Sequence, residues 1–101
     1  MSYNNRWLHE QLRTLAPDQV EKGYDPLVVA TRKDRVYRIY VPTPAEYIVT
    51  IDVVDKVIEM GGNTISFASM WCKPSQEALG YGKEKKVEIL PHGAVLSIFK
   101  A

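Results

Sequence analysis

The chain has 101 residues, the length of one domain, and its 46% hydrophobic and 25% charged content is that of an ordinary globular protein, which excludes a disordered chain. The formal net charge of +1 excludes a globally basic nucleic-acid binder, so any polyanion site has to be a local patch. Cys72 is the only cysteine and His9 and His92 lie far apart, so there is no internal disulfide and no zinc-type spacing.

A chain of this size buries roughly 60% or somewhat more of its unfolded surface, enough for one core and not two. Residues 1–7 lack the apolar run of a signal peptide, and no stretch approaches 18 apolar residues. A single domain over 1–101, cytoplasmic and without a membrane partner, is the expectation.

Asn4 or Asn5 is placed to cap a first helix. From there Trp7, Leu8, Leu12 and Leu15 recur at helical spacing, with Arg6, Glu10 and Arg13 between them, and Pro17 stops the helix near residue 15. Trp7 is expected in the core with the leucines. Gly23 turns the chain. Two β-rich runs follow, Leu27-Val28-Val29-Ala30 and V-Y-R-I-Y-V over 36–41, joined through the polar Lys33-Asp34. They predict an antiparallel hairpin, ended by Pro42 and Pro44, since proline cannot donate to a ladder.

Ile51, Val54, Val57 and Ile58 give the next segment, 50–60, a helical period. Thr50 is its candidate cap and Gly61-Gly62 its stop. Residues 64–68 alternate as a strand. Ser75 is placed to cap a short helix over 76–85, which Gly80 and Gly82 weaken by about 1 kcal/mol each. Residues 87–90 form a strand, Pro91-His92-Gly93 a turn, and 94–99 a last strand or apolar tail. The predicted order is α-β-β-α-β-α-β with a final β, an α/β fold whose mixed sheet is flanked by helices.

This order and these spacings resemble the Mrr-type restriction endonucleases and archaeal Holliday-junction resolvases of the PD-(D/E)xK superfamily. Asp25-Pro26-Leu27-Val28-Val29-Ala30 resembles the family's aspartate strand, and residues 36–42 its second strand. The segment from Thr50 to the double glycine resembles the following helix, and residues 75–90 the late helix and strand. The resemblance implies a restriction-endonuclease-like core. It also implies a catalytic set of one aspartate, one glutamate and one lysine, with the carboxylates holding Mg²⁺ or Mn²⁺. The chain departs from that set, because the E-x-K positions fall on Tyr40 and Pro42.

The candidate site residues each have an ordinary explanation beside the functional one. Asp25 is the one family carboxylate left and a candidate metal ligand; Asp-Pro is also a common turn. Glu46, Asp52 and Asp55 are candidates for a migrated carboxylate, with Lys56 in place of the missing lysine; the helix residues among them also fit a solvated helix face. Arg32, Lys33, Arg35 and Arg38, interleaved with Tyr37 and Tyr40, form a candidate phosphate-gripping patch or a charged hairpin edge. Lys85 and Lys86, beside Lys83, form a second basic group or an ordinary basic helix end. Trp71 marks a partner site if exposed. Cys72 lacks a neighbour that would activate its thiol, and His92 is explained by its turn.

Three functions follow as expectations. The first is a catalytically degenerate nuclease-like domain that binds nucleic acid or a nucleic-acid-processing partner, with no cofactor. The second is a metal-dependent nuclease with migrated carboxylates. The third is a protein-interaction or assembly module, with residues 94–99 pairing strand to strand in a homodimer.

Overall fold

The computed structural model describes residues 3–100. The first helix, α1 (Tyr3–Leu15), begins ahead of both asparagines, so neither Asn4 nor Asn5 caps it. Its buried face is also rotated from the one expected. Leu8 and Leu12 are fully buried, but Asn5 and His9 join them, while Trp7 and Leu15 sit at the margin, 37% and 39% exposed. Two polar residues can face inward because each finds a backbone partner. The Asn5 amide donates to the carbonyls of Tyr24 and Pro26, both at 3.2 Å. His9 Nε2 lies 2.7 Å from the Glu21 carbonyl. A leucine–tryptophan pattern alone does not report such bonds.

Strands β1 (Val28–Arg32) and β2 (Arg35–Tyr40) form the expected hairpin, in register from Val28 opposite Ile39 to Arg32 opposite Arg35. Lys33 and Asp34 close it at φ 49° and 66°, the left-handed pair that a two-residue turn requires. The outer edge of β1 is covered by residues 19–21, through Glu21 N–H to the Val29 carbonyl and Thr31 N–H to the Gln19 carbonyl. That pairing removes an exposed template for aggregation.

A 3-10 turn (Pro44–Glu46) and a two-residue strand, β3 (Ile48–Val49), lead into α2 (Ile51–Glu59). Then follow β4 (Thr64–Phe67), β5 (Lys73–Pro74), α3 (Gln76–Lys85), β6 (Glu88–Pro91) and α4 (His92–Ile98). The main sheet runs β1-β2-β4-β6, antiparallel at the hairpin and parallel thereafter. Strands β3 and β5 pair in parallel as a separate small ladder.

Side-chain alternation divides the core between the two faces of the sheet. Val28, Ala30, Tyr37, Ile39 and Val41 pack with α1 and α4 through Leu8, Leu12, Val95 and Phe99. Tyr40, Ile65 and Phe67 pack with α2 and α3 through Val53, Val54, Val57 and Ala78. Both crossover helices, α2 and α3, thus cover one face. No helix among the described residues is long and apolar enough to cross a membrane.

The expected last strand is a helix. Val95 and Phe99, four residues apart, are both buried in the α1-side core, which an extended tail could not achieve. A short apolar run does not separate strand from helix by periodicity. Pro91 ends β6 and His92 opens α4, so the Pro-His-Gly segment is a helix start and not a turn. The strand-pairing homodimer through residues 94–99 falls with the strand.

Thr50 stands at the N-cap of α2 but makes no side-chain capping bond, whereas the end of α2 and the start of α3 fit the sequence better. Gly61, at φ 84°, and Gly62 close α2 with N–H bonds to the Ile58 and Val57 carbonyls at 3.0 and 2.8 Å. Ser75 Oγ accepts from Ala78 N–H at 3.0 Å, capping α3. The glycines inside α3 differ from each other. A Cβ on Gly82 would meet the Val87 carbonyl at 2.8 Å, so its absence lets α3 approach β6; Gly80 faces open space. A Cβ on Gly62 would meet Val57 Cγ1 at 2.6 Å. Gly62→Ala is expected to destabilise by about 1–3 kcal/mol and Gly80→Ala to stabilise by about 0.5–1 kcal/mol, measured by urea denaturation.

Candidate functional site

Tyr40 is the last residue of β2, and its ring lies in the α2-side core. The chain then leaves the sheet through Pro42 and Thr43 into the 3-10 turn. Glu46, at the end of that turn, reaches back to its start. Its Oε1 accepts from Thr43 N–H at 2.9 Å and from Thr43 Oγ1 at 3.2 Å. The same oxygen accepts from the Tyr40 hydroxyl at 2.6 Å. Lys56, one turn and a half into α2, closes the ring. Its Nζ donates to Glu46 Oε2 at 2.9 Å and to the Tyr40 oxygen at 2.7 Å, and lies 4.9 Å from the Tyr40 ring centroid. Four donors converge on one carboxylate, three of them on Oε1 and Lys56 on Oε2.

This arrangement decides the protonation states. Burial alone would raise the Glu46 carboxyl, but the bonds from Tyr40, Lys56 and Thr43 and the Lys56 charge outweigh it, and its pKa falls below the usual carboxylate value. Lys56 is held above its ordinary value by its bonds to Tyr40 and Glu46. Tyr40 is pushed up, first by burial and then by its bond to the Glu46 carboxylate. The group is therefore a carboxylate, an ammonium and a neutral phenol that satisfy one another. It clasps the exit of β2 to α2. As a nucleophile or metal ligand Glu46 would have to give up bonds from Tyr40, Thr43 and Lys56 that already hold its charge.

Cys72 is fully buried behind this clasp, with Sγ 3.4 Å from the Glu46 carbonyl oxygen, to which it donates. Burial and the Glu46 charge raise the thiol pKa, the reverse of what a reactive thiolate needs.

The sequence-predicted carboxylates are not gathered. Among the described residues no group of three or more His, Cys, Asp or Glu side chains is placed to hold a metal ion. Asp25 is exposed and lines a shallow depression of about 390 Å³ with Glu21, Leu27, Val29, Arg38 and Met60. Asp52 is exposed in the first turn of α2. Asp55 accepts from the Tyr81 hydroxyl of α3 at 2.5 Å and so ties α2 to α3.

The hairpin cations are divided by the strand alternation. Arg32 and Arg35 oppose each other on the face that carries α1 and α4. Arg32 donates to Gln19 Oε1 at 3.4 Å and to the Lys100 carbonyl at 3.2 Å. Arg35 pairs with Glu88 of β6 and stacks 4.7 Å over Tyr37. Arg38 is exposed on the opposite, α2-side face, at the depression. Lys33 stands at the turn. Lys85 lies 5.6 Å from the Tyr81 ring centroid, and Lys86 forms the left-handed end of α3 at φ 62°. The expected single patch is thus two separate groups, one of them already neutralised in part.

The β3–β5 ladder builds a different surface. Lys73 N–H donates to the Tyr47 carbonyl at 3.0 Å and Ser75 N–H to the Val49 carbonyl at 2.9 Å, which fixes the 68–75 segment against the clasp. Around this ladder four large apolar side chains are exposed: Tyr47, Ile48, Met70 and Trp71, with Met70 at 97%. Trp71 had been the one signal of this rim in the sequence. The clasp itself was hidden there, because its members are separated by 6 and 10 positions and meet only when α2 packs on β2.

Glu46→Gln removes the charge but keeps the shape. It is expected to destabilise the fold by about 1–3 kcal/mol at pH 7. Because the Glu46 pKa is lowered in the folded state, the advantage over the variant is present above the ordinary carboxylate value and disappears as pH falls through and below it. Paired urea titrations of both proteins from about pH 7 to about pH 3 measure this convergence.

Compared with known proteins, the chain matches no family model, no curated protein and no solved structure.

Proposed function

We propose that this chain is a catalytically degenerate nuclease-like domain that acts by binding, and that it engages a protein partner through the rim of Tyr47, Ile48, Met70 and Trp71. The observation that carries the proposal is the exposure of these four side chains on the two short segments that one small ladder pairs. A single exposed apolar residue is ordinary, but a group rich in aromatics and methionine is the composition of an interface centre. The backbone of the rim is held by the ladder and, behind it, by the clasp, so little backbone freedom is left to lose on association.

The clasp supports the non-hydrolytic half of the proposal. Where the resemblance implies the second-strand catalytic pair, Tyr40 and Pro42 stand, and the nearest acid and base, Glu46 and Lys56, are spent on each other and on Tyr40. A nucleic-acid-processing protein is the partner that the resemblance suggests. A cytoplasmic setting is part of the same proposal, and a lone buried thiol agrees with it.

A second reading is direct binding of nucleic acid, favoured by Arg38, which is exposed beside the depression without the ion pair that engages Arg35. Fluorescence anisotropy with labelled single-stranded, duplex and four-way-junction DNA at about 50 and 200 mM salt tests it. Binding that weakens with salt and with Arg38→Ala would favour this reading.

The protein-partner reading is tested by a photo-crosslinking residue at position 70, where exposure makes substitution benign, with position 10 of α1 as the control. Discrete protein adducts at position 70 that Trp71→Ala diminishes, by an affinity loss of about 2 kcal/mol or more, are the expected result. Adducts that match the control, or none, would overturn it.

A further inference from the structure

His92 takes no part in the clasp or the rim. It opens α4, and its Nδ1 lies 2.5 Å from Ser66 Oγ in the fully buried centre of β4. Its ring also meets Trp7 of α1, centroid to centroid at 5.2 Å and tilted by 51°. One imidazole therefore joins α4 to the two elements beneath it. Further along α4, Val95 and Phe99 are buried, and Phe99 packs edge-on against Tyr37 at 5.6 Å.

Among the described residues of the elements packed on it, the charged form of that imidazole has no carboxylate left free to pair with it, and only the Trp7 ring faces it. On α1, Arg6 and Glu10 pair with each other at 3.2 Å, His9 turns to the Glu21 carbonyl, and Arg13 lies in the last turn. Strand β4 has no ionisable side chain. On β6, Glu88 is engaged by Arg35. Helix α4 carries no acid, and Lys100 beyond it adds positive charge. A proton added to either ring nitrogen therefore creates a cation without a counter-ion. If Nδ1 is the nitrogen that takes the proton, its bond to Ser66 has to reverse, and the Ser66 hydroxyl must turn its own hydrogen elsewhere within a fully buried site.

We propose that His92 is a proton-sensitive latch: neutral, it holds α4 on α1 and β4; protonated, it releases α4 and uncovers the core face of Val95 and Phe99. Burial already lowers its basicity in the folded state. The sign follows from that. A histidine depressed on folding contributes stability above the ordinary imidazole value of about 6.5, and that contribution is lost as pH falls below it.

Two measurements on the folded chain test the latch. In the first, NMR titration of the unmodified protein is expected to give a His92 midpoint below about 6.5. In the second, hydrogen exchange, corrected for the intrinsic effect of pH, is compared at about pH 7.5 and 5.5. The amides of α4 are expected to open several-fold more at the lower pH while those of α2 do not. His92→Asn, which keeps a polar atom near Nδ1 but cannot charge, is expected to abolish that difference. A His92 midpoint at or above the ordinary value, α4 exchange that follows α2 at both pH values, or unchanged pH dependence in His92→Asn would each overturn the proposal. The titration needs no variant, so the question is decided even if His92→Asn does not fold.

Discussion

A buried or half-buried carboxylate must be matched by donors, and Glu46 is where this chain meets that requirement. The four hydrogen bonds it accepts come from the end of β2, the head of the 3-10 turn and the middle of α2. They fix how the chain leaves the sheet and where α2 begins. The β3–β5 ladder, the buried Cys72 and the exposed rim all sit on the segment so fixed. Remove the carboxylate and the Lys56 ammonium and Tyr40 hydroxyl each lose their bond to it at once, which leaves them only each other. Such a group costs more to break than its net contribution suggests.

The elements that the sequence made legible are those with a strong local signal. The hairpin follows from two β-branched runs around Lys33-Asp34, the α2 stop from Gly61-Gly62, and the α3 cap from Ser75. What was not legible depended on tertiary partners. Asn5 and His9 occupy a buried helix face because backbone carbonyls of residues 21, 24 and 26 come to meet them. Residues 94–99 form a helix because Val95 and Phe99 have a core to enter. The run's composition alone was compatible with a strand.

The same division applies to the sites. Glu46 and Lys56 could each be named as candidates, but their meeting at Tyr40 depends on how α2 packs on β2. The four hairpin cations read as one patch in the sequence, whereas the two-residue alternation of β2 puts Arg35 and Arg38 on opposite faces. Exposure of Met70 and Trp71 is set by the β3–β5 pairing, two residues long and invisible to pattern reading. The mixed α/β architecture followed from the order of elements. The surface chemistry needed their packing.

The claim on which this account rests is that Glu46 is committed to the clasp and is not held free for chemistry. A double-mutant cycle between Glu46→Gln and Lys56→Met, read by urea denaturation at pH 7, tests it most directly. The pair is partly exposed, with Lys56 48% and Glu46 16% accessible, so screening reduces the coupling from that of a fully buried pair. A coupling of about 1 kcal/mol, shrinking only modestly in high salt, is the expected result. Additive effects of the two substitutions, with no loss of stability in Glu46→Gln alone, would contradict it.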